Sequence, residues 1–203
     1  MSDALDALGL RGAIAASELA CQLSGARLVG QAVTVRNVER PEDVAACVAS
    51  RQGRMGEHEA YNLAEPGDVV VIEGLKGISN LGGQSAMVAV RSGCAGAVID
   101  GSFRDPALSR DLGFPIWSRG PTPVTGKWRL QTVEINGPVR IAGVAVDAGD
   151  LVVADDAGVV FVPRLRVPEV VEMAQRIAQG DERQQADIRG GIAPQELAQK
   201  QYK

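Results

Sequence analysis

The sequence predicts an α/β protein with a central β-layer and helices outside it. Three observations carry that reading. "DVVVIEG" and "AGAVIDG" are short, continuously apolar runs, as expected of parallel strands covered on both faces. Between them lie a Gly-rich loop, "GLKGISNLGG", and a helical stretch, "QSAMVAVRSG", stopped by Gly93, so the segment is a right-handed βαβ unit. After it, "FPIWSRG", "LQTVEI", "VRIAGVAV" and "DLVVADDAGVVFVP" are short strands separated by Gly, Pro and Asp turns, which predict an antiparallel or barrel-like layer.

The remaining elements follow in order. A short helix opens the chain around Asp3–Leu8, and "LVGQAVTVRNV" is a strand. "PEDVAACVASR" is helical, with Pro41 suited to a first turn. A second helical stretch ends near "NLAEPGD", where Pro66-Gly67 signals a turn. From Pro168 to Gln199 the chain is polar and mainly helical, broken at Gly190-Gly191. The expected organisation is an α/β domain over residues 1–166 and a helical tail over 167–203 that packs on a neighbouring subunit.

Composition narrows the function. The chain has 203 residues, enough to bury a core, with 45% hydrophobic but only 3% aromatic residues, so Val, Ala, Leu and Ile must fill it. A net charge of -4, with no basic run and no aromatic platform, argues against nucleic acid as a partner. The first twenty residues form neither a signal peptide nor a membrane span, and the expected location is the cytoplasm, with no membrane partner. Cys21, Cys47 and Cys94 are widely spaced in apolar surroundings and are expected as reduced, buried thiols. The single histidine, His58, excludes a histidine-rich zinc site and is expected on a solvated helix. Lys76 is the one candidate Schiff-base former, but the sequence sets no neighbouring charge or apolar pocket beside it to activate it.

The chemistry concentrates at two strand ends. In parallel α/β units ligands bind beyond the carboxyl ends of the strands. One end is Glu73-Gly74 and the other Asp100-Gly101, which leads into "SFRDPA". If the strands are neighbours, both loops share one mouth. Gly82 and Gly83 precede a helix whose first amides, those of Gly83, Gln84, Ser85 and Ala86, would face that mouth as an anion site. Arg104 offers a bidentate donor to a carboxylate, and Asp105 a ligand for a hard cation. Against this, Asp105 before Pro106 also has the form of a simple helix N-cap, and Asp100 that of a turn cap.

At these residues the chain resembles the RraA-like proteins. That family includes regulators of ribonuclease E activity, class II 4-hydroxy-4-methyl-2-oxoglutarate/4-carboxy-4-hydroxy-2-oxoadipate aldolases, and proteins labelled demethylmenaquinone methyltransferases. "SDALDALGLRG", "LVGQAVTV", "PGDVVVIEG", "AGAVIDGSFRD", "GFPIWSRG" and "AGDLVVADDAGVVFVPR" carry the resemblance across nearly the whole chain. It implies an α/β/β/α sandwich, trimers or hexamers, and sites between subunits. It implies that Arg104 holds the pyruvyl carboxylate and carbonyl, that Asp105 ligates Mg²⁺ or Mn²⁺, and that the amides of Gln84 and Ser85 bind the carboxylate. Glu182 is the candidate for an acid that the family's aldolases take from the next subunit. Two family acids are replaced here, by Gly83 and Leu108. The methyltransferase label finds no S-adenosylmethionine loop.

The expected function is therefore a divalent-metal-dependent carbon–carbon lyase on a 2-oxo acid, a retro-aldolase or oxaloacetate-type decarboxylase. Arg104 and Asp105 are its catalytic residues, Gly82, Gly83, Gln84, Ser85 and Arg104 bind substrate, and Asp105 and Glu182 hold the metal. The alternatives are a non-catalytic RraA-like regulator that binds another protein, and a divergent enzyme whose pocket is reshaped by Gly83, Ser79, Asn80 and Trp117. For Trp117 a plain core position is the stronger reading.

Overall fold

The computed structural model describes residues 1–202. Along the chain run α1 (Ser2–Ala7), β1 (Ala13–Ala15), β2 (Ala20–Cys21), β3 (Leu28–Glu39), α2 (Val44–Ser50), α3 (Glu57–Leu63) and β4 (Val69–Glu73). There follow α4 (Gly83–Arg91), β5 (Gly96–Asp100), α5 (Pro106–Asp111), β6 (Ile116–Ser118), β7 (Leu130–Ile135), β8 (Val139–Ile141) and β9 (Val144–Val146). β10 (Leu151–Asp155), β11 (Gly158–Val162), α6 (Val167–Arg189) and α7 (Pro194–Leu197) complete the order. The chain divides into two compact units, residues 12–164 and a terminal unit of residues 1–11 with those from Leu165 on.

In the first unit a nine-stranded sheet has the order β1-β11-β10-β3-β4-β5-β6-β2, with β7 also on β3. β3, β4, β5 and β6 are parallel neighbours, and β10, β11, β1 and β7 join antiparallel. Alternation along β4 shows why residues 69–72 are all apolar. Val69 and Val71 face a cluster with Val139, Ile141, Val152 and Phe161, and Val70 and Ile72 face one with Ala60, Tyr61, Ala86 and Ala89. One side of the parallel strands is thus covered by β-structure and the other by α3 and α4, giving the α/β/β order.

Two strand-end acids tie the β8–β9 hairpin down. Glu73 Oε2 accepts the Arg140 N–H at 2.7 Å and Asp100 Oδ2 the Ala142 N–H at 2.6 Å. Asp100 Oδ1 also pairs with Arg119, whose pKa that contact raises. Asp100 is therefore a structural clamp. Trp117 is core, fully buried, with Nε1 donating to Asp155 O at 2.9 Å.

Three expectations change in detail. Pro41 does not open a helix: α2 starts at Val44, capped by Asp43 Oδ1 on the Ala45 N–H at 2.7 Å, because that carboxylate satisfies a first-turn donor. "FPIWSRG" contributes β6 to the parallel layer rather than to the antiparallel one. "VRIAGVAV" breaks into β8 and β9 at Ala142-Gly143, both with positive φ (45° and 86°), the signature of a type I′ turn. Of the three free thiols, Cys47 and Cys94 are buried and Cys21 is half-buried. Burial pushes the Cys94 and Cys21 pKa values up, which suits inert thiols.

In the terminal unit α1 buries Ala4 and Leu5, and α6 buries Val170 and Gly180. Gly190 caps α6, and Gly191, at φ 78°, turns the chain toward α7. Among the described residues no helix is long and apolar enough to cross a membrane.

Candidate functional site

The loops after β4 and β5 do share one mouth. Asn80, fully buried, donates from Nδ2 to Leu75 O at 3.1 Å and Ile78 O at 3.0 Å, which folds the first loop on itself. Its backbone N–H reaches Ser102 O at 2.8 Å, and the Arg104 N–H reaches Leu81 O at 2.9 Å. The two loops are thus laced together by main-chain bonds. Gly101 is required by this approach, since a Cβ there would stand 2.9 Å from Leu75 N.

The lacing delivers Arg104 and Asp105 to the start of α4. That helix is capped by Gly82, in extended conformation and without a side-chain cap, so its first-turn amides have no helical acceptor. One of them, the Gly83 N–H, donates to Asp105 Oδ2 at 2.9 Å. The Arg104 guanidinium lies over the same turn: a Cβ on Gly82 would touch its Nη2 at 3.6 Å. Arg104, Asp105, Gly82, Gln84 and Ser85 line one cavity of about 460 Å³, and Gly83 lies behind Asp105. Glu182 lies on α6, in the terminal unit.

Asp105 does occupy an N-cap position before Pro106, as its sequence suggests, but its side chain does not cap α5. It turns to α4 instead. Its backbone sits at φ 60°, ψ 52°, a left-handed conformation that costs a non-glycine residue about 1–2 kcal/mol. The neighbouring ion pair does not repay that. Arg104 Nε and Asp105 Oδ2 are 3.5 Å apart with both side chains more than 40% exposed, and such pairs contribute at most about 1 kcal/mol. Arg104 Nε, moreover, is buried without a hydrogen-bond partner. A strained acid and an unsatisfied guanidinium donor thus stand side by side in the cleft, each at a cost to stability.

The two positions at which the resemblance implies acids, Gly83 and Leu108, are neighbours. A Cβ on Gly83 would stand 2.6 Å from Leu108 Cδ2 and 3.1 Å from Asp105 Cβ. Leu108 fills the space that a side chain at position 83 would need.

The cleft also takes in residues to which the sequence reading gave no part in a site, among them Met55, Glu57, His58 and Lys127. His58 is exposed, as expected, and lies edge-on to Tyr61 with ring centroids 5.8 Å apart. Lys127 Nζ stands 4.6 Å from the Trp128 ring centre. Lys76 is exposed on its loop, outside this cleft. Glu57 carried a legible signal, since it precedes Ala60 and Tyr61 by three and four residues and so shares their buried helix face.

Among the described residues no three His, Cys, Asp or Glu side chains form a metal cluster. Asp105, with Oδ2 bonded to the Gly83 N–H, could offer one carboxylate to a cation. That suits a hard cation held otherwise by waters and ligand oxygens, not a closed protein cage.

The fold and this cleft define an α/β protein with an open cleft at the ends of its parallel strands. The model of the family described as RraA-like, Aldolase/RraA, matches residues 1–161, and the chain belongs to that family. A putative 4-hydroxy-4-methyl-2-oxoglutarate aldolase of Halalkalibacterium halodurans is 34% identical, the match covering 78% of each chain. Protein DlpA of Legionella pneumophila is 29% identical over 94% of this chain but only 30% of its own length. A Streptomyces coelicolor structure, described as an unusual member of the RNase ES inhibitor RraA protein family, is 32% identical with a TM-score of 0.77, covering 90% of this chain and 88% of that one. At family level these relatives support an aldolase-type lyase, with RraA regulators also among the kin.

Proposed function

We propose that the chain is a divalent-metal-dependent carbon–carbon lyase acting on a 2-oxo acid, by retro-aldol cleavage or oxaloacetate-type decarboxylation. The observation that carries this is the strained Arg104-Asp105 pair, its buried Arg104 Nε unsatisfied, set over the open first turn of α4. The 2-oxo acid's carboxylate sits on the amides of Gln84 and Ser85, where the helix dipole favours negative charge. Arg104 donates to the carboxylate and the 2-oxo oxygen, and is placed to stabilise negative charge growing there as the bond breaks. Asp105 would hold Mg²⁺ or Mn²⁺, which would supply a Lewis acid to the 2-oxo group. Glu182, supplied from a neighbouring subunit of a trimer or hexamer, completes the metal's acid set. The setting is the cytoplasm.

The test is pyruvate release from oxaloacetate and from 4-hydroxy-4-methyl-2-oxoglutarate, with and without Mg²⁺ or Mn²⁺. Arg104→Ala and Asp105→Ala should each lower kcat/KM by about 10²–10³-fold, the usual loss when a charge-stabilising donor is removed. Turnover unchanged in Asp105→Ala would refute the assignment. The apolar Leu108–Gly83 contact favours a second reading, a protein-binding regulator of the RraA type. Metal-independent, background-level pyruvate release together with a stoichiometric protein partner insensitive to Arg104→Ala would select it.

A further inference from the structure

Two side chains in the wall of the cleft are left without a task by this reading. Ser85 Oγ, in the first turn of α4, donates to Glu57 Oε1 at 2.9 Å, and both residues line the cavity. The serine and glutamate of a capping box would belong to one helix. Here the carboxylate comes from the first residue of α3, so the bond joins two helices at the ligand's side. Glu57 is 6% exposed and Ser85 7%. Glu57 Oε2 has no hydrogen-bond partner, and the buried Tyr61 hydroxyl one turn along lies beside Ser85. Burial, with the Glu57 charge as a lesser cause, pushes the Tyr61 pKa well up, so that phenol stays neutral. A carboxylate kept for structure alone would have both oxygens satisfied. This one is held by a single bond, and that bond is to a hydroxyl on the cleft wall.

We propose that Ser85 and Glu57 form a proton relay serving the Arg104–Asp105 cleft, carrying the proton of the substrate hydroxyl during retro-aldol cleavage. This rests on the lyase reading above. In the cleavage step Ser85 Oγ accepts the proton of the substrate hydroxyl while passing its own proton to Glu57 Oε1. The freed oxygen forms a carbonyl, the carbon–carbon bond breaks, and its electron pair remains on the three-carbon fragment as the enolate. The proton then returns from Glu57 through Ser85 to the enolate carbon, giving pyruvate, a carbonyl product and the starting carboxylate. No oxidant or reductant is consumed. The other charged groups on the cleft are His58 from α3, Arg104 and Asp105 at the head of α5, and Lys127. Ser85 occupies the wall itself, with Glu57 bonded directly to it.

The test follows pyruvate release from 4-hydroxy-4-methyl-2-oxoglutarate by the wild type, Ser85→Ala, Glu57→Gln and the double variant. Positioned acid–base groups contribute about 10²–10⁴-fold, so each single variant should lose at least about 10²-fold in kcat with KM changed less than about threefold. The double variant should be no slower than the worse single variant, because the two groups act as one unit. Ser85→Ala removes one oxygen and carries the test alone if Glu57→Gln fails to fold. An active wild type with both variants within about fivefold in kcat would overturn the relay and leave the lyase reading standing. So would a raised KM at unchanged kcat, which marks a wall residue. A wild type that releases no pyruvate overturns the lyase reading, and the relay with it.

Discussion

At the residue scale, the cost of Asp105 is set against the packing of Gly83. The aspartate holds a left-handed backbone and spends its one bond on the Gly83 amide. Position 83 cannot accept a side chain while Leu108 Cδ2 would lie 2.6 Å from its Cβ. Gly83→Ala should therefore destabilise by about 1–3 kcal/mol, the usual cost of overpacking. Leu108→Ala in the same chain should recover part of that loss, since contacting positions couple. Thermal denaturation of the two single variants and the double variant checks this, and additive losses would show that the contact is not the cause. The pairing also shows a limit of sequence reading. Both departures are visible as a missing acid, but 25 residues separate them, and no spacing rule places a leucine methyl against a glycine across two helix starts.

At the element scale, the β8–β9 hairpin is held from below by two strand-end acids and turned by two left-handed residues. Ala142 at φ 45° is the strained one. Ala142→Gly should stabilise the fold by up to about 1 kcal/mol, the left-handed penalty offset by the added flexibility of the unfolded chain. Asp100→Asn should destabilise it by about 1–3 kcal/mol, because it weakens both the Arg119 pair and the Ala142 amide bond. Urea titration distinguishes the two signs. In the terminal unit Asp187 Oδ2 accepts from Tyr202 Oη at 2.6 Å and Lys200 Nζ at 2.9 Å, and these bonds hold its pKa below the usual carboxylate value. A depressed carboxylate contributes above its unfolded pKa and stops contributing as pH falls through the folded one. Amide NMR signals around Tyr202 should shift over that acid range, and Asp187→Asn should abolish the shift.

At the scale of the whole molecule, the parallel layer was legible because its chemistry is repetitive. β4 and β5 are apolar up to the acids that end them, since α3 and α4 cover one face and β-structure the other. The Gly-rich loop and the Arg104-Asp105 lip followed from knowing where such strands end. What the chain order concealed is partnership. "FPIWSRG" has nothing to mark it as parallel until β5 lies beside it, and "VRIAGVAV" lacks the Asn-Gly that announces a tight turn. Glu57 was hidden for the opposite reason: a charged residue is assigned to water by default, and only its place one turn before Ala60 and Tyr61 shows otherwise.

The long strand β3 has its own consequence for how the chain is made. Its first residues, Leu28 to Gln31, pair with Ala154 to Leu151, whereas Ala32 to Arg36 pair with β4. During synthesis the second half of the strand finds its partner soon after emerging. The first half must wait for more than a hundred further residues, roughly 6–25 s at ribosomal speeds of 5–20 residues per second. For that interval a nascent chain carries an open edge with Val29 beside it, a template for pairing with its neighbours on a polysome. Yield in a rapidly expressing host should therefore be governed by how that edge is shielded while the ribosome finishes, more than by the stability of the completed sheet.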